Sequence, residues 1–208
     1  MKRLGTGRMM DMARRLVALL ALLLVGASPG VGAAFDAGES FAKGTAIFSL
    51  QMGGGAENKI ETPISGITFL NVGPRLSYLP FAPFGSGWYR AAVEPGLEGW
   101  FQYFLEPQRA AAGGLKTGVR LHGLGFGPFV PYLEFAAGAG ATGLDLPEIR
   151  STFTFILEAG AGFSVFLKRD LAIYTGYRFQ HLSNGNTASP NRGYQADSGI
   201  IGVSFFFH

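Results

Sequence analysis

Residues 151–167 read Ser-Thr-Phe-Thr-Phe-Ile-Leu-Glu-Ala-Gly-Ala-Gly-Phe-Ser-Val-Phe-Leu. Phe153, Phe155, Leu157, Phe163, Val165 and Leu167 hold the odd positions; Thr152, Thr154, Glu158, Gly160, Gly162 and Ser164 hold the even ones. A period of two is that of a strand with two unlike faces. Residues 129–139 repeat it, with Phe129, Leu133 and Phe135 against Tyr132, Glu134 and Gly138. The last segment puts Ile201, Val203, Phe205 and Phe207 on one face. Eight strands are predicted on this basis, near 44–52, 66–79, 88–106, 114–124, 129–141, 151–167, 170–183 and 194–207. Three connections are turn-like, at 80–87, 125–128 and 168–170, while those near 53–65, 107–113, 142–150 and 184–193 read as longer loops.

The polar face carries charge. By parity Arg75, Glu94, Glu98, Lys116, Arg120, Glu134, Glu158 and Arg178 point to one side, four acids and four bases, with His122 beside them. In a soluble sandwich these positions would form the dry core, where unpaired charge is very costly. A membrane barrel reverses the faces, so that apolar residues meet lipid and polar ones fill the lumen. The predicted fold is therefore all-β, an eight-stranded antiparallel transmembrane β-barrel of the outer-membrane type. Eight strands leave an interior that side chains fill, a plug and not a pore. Trp88, Tyr89, Trp100, Tyr103, Phe104, Tyr177 and Phe179 are expected to form girdles at the headgroup level. Short turns at one end and longer loops at the other suit such a barrel, with the longer loops outside the cell.

Lys2, Arg3, Arg8, Arg14 and Arg15 precede an apolar run, Leu16 to Val25, and small residues ending at Gly32-Ala33-Ala34. That order reads as a secretory signal peptide over 1–34, which leaves 35–208 as the barrel domain. Of the 17 basic and 14 acidic residues, five and one fall in 1–34, so 12 and 13 remain and the net charge becomes −1. The basic character belongs to the targeting segment, and a nucleic-acid partner gains no support from it. There are no cysteines. With 32 glycines, 19 phenylalanines and 15% charged residues, the composition is odd for a soluble secreted domain but natural for a wall that faces lipid.

The stretch 180–198 carries the chemistry. His181 and Ser183 are two apart on a strand, so both leave the same face, and a serine hydroxyl needs such a neighbouring base to become a nucleophile. They share parity with Ile173, Tyr177 and Phe179, which places them on the lipid-facing exterior. On the last strand Gln195 and Asp197 share parity with Ile201, Val203 and Phe205, again outward. Polar groups facing lipid are costly, which points to function. Asn184-Gly185 and Pro190-Asn191-Arg192-Gly193 are turn formers in any protein. His122 and the charge ladder read as lumen filling, and Gly53-Gly54-Gly55 lacks the helix and Lys-Ser/Thr of a phosphate loop.

His181-x-Ser183-Asn184 followed by Pro190-Asn191-x-Gly193 resembles the signature of the lipid A 3-O-deacylase family, and Pro131-Tyr132-Leu133-Glu134 with Gly138 resembles its fifth strand. The resemblance implies an outer-membrane barrel with a Ser-His-Glu triad on its outer wall, hydrolysing the 3-linked acyl ester of lipid A in the outer leaflet. It implies Ser183 as nucleophile, His181 as general base and then acid, and Asn184, supported by Asn191, as oxyanion donor. The chain departs from the pattern at the acid, where Gln195 stands. Asp197, one pleat further on the same face, is the alternative orienting group. No metal site and no cofactor are expected, and a homodimer is left open. A catalytically silent surface barrel and a lipid A acyltransferase remain as alternative readings.

Overall fold

A computed structural model describes residues 36–58 and 65–208. The predicted signal peptide, 1–34, lies outside the described residues. Strands β1 (Ala46–Glu57), β2 (Thr68–Tyr78), β3 (Ala91–Glu106), β4 (Ala110–Gly123), β5 (Phe129–Thr142), β8 (Phe153–Lys168), β9 (Leu171–Ser183) and β10 (Tyr194–Phe207) close one antiparallel barrel. The ring closes where β1 pairs with β10, from Ala46 opposite Phe207 to Glu57 opposite Ala196. Closure leaves no sheet edge, as a lipid surroundings requires. Strands β6 (Asp145–Leu146) and β7 (Ile149–Arg150) form a small hairpin in the loop between β5 and β8.

The faces are those that the alternation predicts. Leu133, Phe135, Phe155, Leu157, Ile173 and Tyr177 are exposed on the outside, while the inward charges are all buried. Inside, every one of the eight charges has an opposite partner. Glu98 is ringed by Lys116 (2.8 Å), Arg178 (3.0 Å) and Arg75 (3.7 Å); Glu134 receives Arg120 (2.9 Å) and Arg178; Glu94 receives Arg75 (3.0 Å); and Lys116 pairs with Glu158. The Arg120 guanidinium lies 5.0 Å from the Tyr132 ring centre and 4.8 Å from that of Tyr174. Pairing is what makes the burial tolerable.

Apolar layers cap this charged belt at both ends. At the end that holds the barrel's termini, the 3₁₀ turn Ala37–Phe41 enters the mouth, and Phe41 packs on His122, Phe166 and Phe206. Asp36 starts that turn by accepting from the Gly38 N–H (2.8 Å) and pairing with Arg90 (2.6 Å). At the loop end Phe69, Trp100, Phe104, Ile149, Ile156, Leu182 and Tyr194 form a second layer.

Four expectations need correction. Trp100 and Phe104 are not girdle residues: they are 6% and 0% exposed and face the lumen, in step with Glu98 and Gln102. The loop placed at 107–113 shrinks to 107–109, because Ala110–Gly114 pair with Phe104–Trp100 of β3. Across from Gly114, on β5, a Cβ on Gly140 would come 2.8 Å from the Trp100 ring. Likewise β1 runs on through Gly53–Gly55 to Glu57, and the predicted turn at 80–87 extends to a 3₁₀ turn at Gly87–Tyr89, so β3 begins at Ala91. Glycine-rich and alanine-rich stretches that read as loops are paired strands of the barrel.

Candidate active site on the outer wall

The chain leaves β9 at Ser183, crosses residues 184–193 and returns as β10 at Tyr194. The register sets Gln195 directly opposite His181, Tyr194 opposite Leu182 and Asp197 opposite Phe179. Leu182, Tyr194 and Ala196 are buried in the lumen, so His181, Ser183, Gln195 and Asp197 point outward, the last exposed. On β9 and β10, His181 and Asp197 are the two ionisable groups on the outer face besides Tyr177.

The Gln195 side-chain amide sits on the imidazole, with Nε2 to His181 Nδ1 at 3.3 Å. The direction of that bond matters. If the amide N–H donates, Nδ1 is the acceptor and the ring proton is on Nε2, the tautomer that cannot take a proton from a serine. Turned by 180°, the amide presents Oε1 to an Nδ1–H and frees Nε2 as a base; amide orientation and imidazole tautomer are set together by this one contact. Asp197 does not reach His181: its carboxylate accepts a 2.5 Å hydrogen bond from the Tyr177 hydroxyl, diagonally across the strand pair. Among the described residues no hydrogen bond joins His181 to Ser183, whose carbonyl accepts from Thr154 Oγ1 (3.1 Å). Such contacts tighten in complexes with substrate, so proximity on one face is the relevant geometry.

Asn184 and Asn191 hold the loop together. Asn184 is fully buried; its backbone N–H donates to Asn191 Oδ1 (2.9 Å), its side-chain Nδ2 to the Ala188 carbonyl (3.0 Å), and its carbonyl accepts from Thr187. The backbone N–H and one of the two Nδ2 hydrogens are thus already engaged within the loop. Asn191 Nδ2 donates in turn to Asn186 Oδ1 (3.0 Å).

Sequence reasoning treated Gly193 as a turn former and did not single out Glu148. Gly193 has φ +68°, and a Cβ there would lie 2.7 Å from His181 Cε1 and 3.2 Å from Nε2, so its backbone packs against the imidazole edge. Its N–H donates to the Glu148 carbonyl (2.9 Å) at the tip of the β6–β7 hairpin. No spacing signal in the chain links 148 to 193.

The model of the lipid A 3-O-deacylase family, PagL, matches residues 74–204. The chain belongs to that family. No curated protein matches it by sequence. Among solved structures, the outer membrane enzyme PagL superposes with a TM-score of 0.55 at 16% identity, over 75% of this chain and 97% of its own. Neisserial surface protein A superposes with a TM-score of 0.56 at 12% identity, over 78% and 97%. Identities this low establish the shared barrel and nothing finer. Family and fold together place this member in the bacterial outer membrane, with the loops at 184–193 at the far end from the termini.

Proposed function

We propose that the protein is a serine esterase of the outer membrane that hydrolyses the acyl ester at the 3-position of lipid A. One observation carries the reading: a hydroxyl, an imidazole and the imidazole's amide partner stand together on the lipid-facing side of the barrel wall, at the loop end of β9. A substrate whose ester lies at the top of the outer leaflet reaches that patch without leaving the membrane.

Ser183 Oγ attacks the acyl carbonyl while His181 Nε2 takes the hydroxyl proton. The tetrahedral intermediate expels the sugar alkoxide, which receives that proton from His181, and the acyl group remains on Ser183. Water, deprotonated by His181, then releases the fatty acid and restores the serine. Gln195 holds the ring through Nδ1 but supplies no charge to the imidazolium that forms. To act as oxyanion donor, the buried Asn184 must turn an Nδ2 hydrogen outward to the substrate oxygen.

The test is mass spectrometry of lipid A incubated with the purified protein and with Ser183→Ala. Loss of one 3-linked acyl chain with the first and not the second is the expected result. The silent-barrel reading is favoured by Gln195 itself, and intact lipid A in both samples is its outcome. A gain of acyl mass would indicate transfer.

A further inference from the structure

We propose that the tip of the β6–β7 hairpin, with Glu148 as its anchor, positions His181; the inference rests on the esterase reading and extends its site to a second loop. Glu148 is 3% exposed although it lies in a loop. Its backbone carbonyl holds the Gly193 N–H, and Gly193 packs on the Cε1–Nε2 edge of His181, the edge that must face the serine. Its carboxylate accepts from Ser65 Oγ (2.8 Å) in the loop between β1 and β2. Next to it Ile149 is fully buried, in the same apolar layer as Leu182 and Tyr194, which flank His181 and Gly193 in the chain.

The hairpin is thus tied on three sides: to the first loop through the Glu148 side chain, to the site loop through its backbone, and to the lumen cap through Ile149. Removing the side chain frees the tip from Ser65. The carbonyl then no longer fixes Gly193, and the imidazole edge loses the surface that limits its rotation. The buried Glu148 Oε2 has no hydrogen-bond partner among the described residues.

Three variants, Glu148→Ala, Glu148→Gln and Ser183→Ala, test this against wild type with two readouts. The first is kcat and KM for acyl release from lipid A in detergent micelles. The second is the rate at which diethyl pyrocarbonate modifies His181, followed by peptide mass spectrometry with His208 as internal reference. Misplacing a reacting group by about 1 Å costs on the order of 10²-fold in rate, so Glu148→Ala should lower kcat between about tenfold and a hundredfold with KM within about twofold. His181 modification should speed up several-fold relative to His208. Glu148→Gln keeps an oxygen for Ser65 Oγ and should restore both readouts. If His181 reactivity and kcat are unchanged in Glu148→Ala, the positioning role is wrong. If His181 reactivity changes as described but wild type and Ser183→Ala are equally inactive, the positioning stands and the esterase reading fails. Equal loss in both Glu148 variants, with the barrel unfolding earlier, assigns Glu148 to stability alone and overturns the proposal.

Discussion

On the proposed esterase reading, replacing Gln195 by glutamate should speed acyl release. The new carboxylate would stand where the amide now lies, 3.3 Å from His181 Nδ1. It accepts but cannot donate, so it forces the proton onto Nδ1 and leaves Nε2 free, removing the tautomer in which the ring is no base. It also adds charge. At this separation and an effective dielectric of about 20, a carboxylate and an imidazolium attract by about 5 kcal/mol, or between three and four decades in rate if all of it is expressed in the transition state. Gln195 and His181 are only half-buried, and water at the headgroup level screens part of that energy. A rise in kcat of roughly 10²–10³-fold is therefore expected, in keeping with the roughly 10⁴ that an amide in place of the acid costs in a serine hydrolase. The assay is the initial rate of acyl release from lipid A in micelles, with wild type, Gln195→Glu and Gln195→Glu/Asp197→Asn. A folded Gln195→Glu barrel no faster than wild type refutes the assignment of Gln195 as orienting residue. A gain of the same size in the double variant would show that Asp197 takes no part in orienting His181.

Other consequences concern geometry and stability. Gly193→Ala should lower kcat by about ten- to a hundredfold, because the new Cβ would stand 2.7 Å from His181 Cε1 and the alanine must hold a left-handed φ; an unchanged kcat would show that the ring is free to move. Glu98→Ala leaves Arg75, Lys116 and Arg178 without their shared carboxylate, and should destabilise the barrel by at least about 3–5 kcal/mol in a urea titration followed by heat-dependent gel mobility. Phe41→Ala removes the ring that fills the terminal mouth and should cost about 3–5 kcal/mol in the same titration; a loss under about 1 kcal/mol would mean that the 3₁₀ turn is not part of the folded core.

Much of the barrel can be read from the chain because a membrane wall enforces a strict period of two. Glu94, Glu98, Glu134, Glu158 and Arg178 can only lie inside, and they set the face of every neighbour. The same rule could have placed Trp100 and Phe104, which share the parity of Glu98; aromatic type and position near a strand end spoke for the girdle and were the weaker signal. Ala110–Gly113 and Gly53–Gly55 read as loops because small residues weaken strands in isolation, whereas here they are held in the barrel ladder, and a Cβ on Gly55 would meet the Phe69 ring. At the site, parity sufficed to bring His181, Ser183, Gln195 and Asp197 to one outer patch. It could not choose between Gln195 and Asp197, since that choice depends on the register of β9 against β10, which pairs 181 with 195. Nor could it show that Asn184 is tied within its own loop or that Glu148 reaches Gly193, for these are contacts between loops, where no periodicity operates.

The central claim is that Ser183, activated by His181, is a nucleophile on the outer surface of the wall. Labelling with a lipid-soluble fluorophosphonate, which transfers its phosphonyl group to an activated serine with loss of fluoride, tests it most directly. Intact mass and peptide mapping should show one adduct, on Ser183, and Gln195→Glu should accelerate its formation while His181→Ala abolishes it. An unlabelled Ser183 in a folded barrel that still releases acyl chains, or equal labelling with and without His181, would contradict the account.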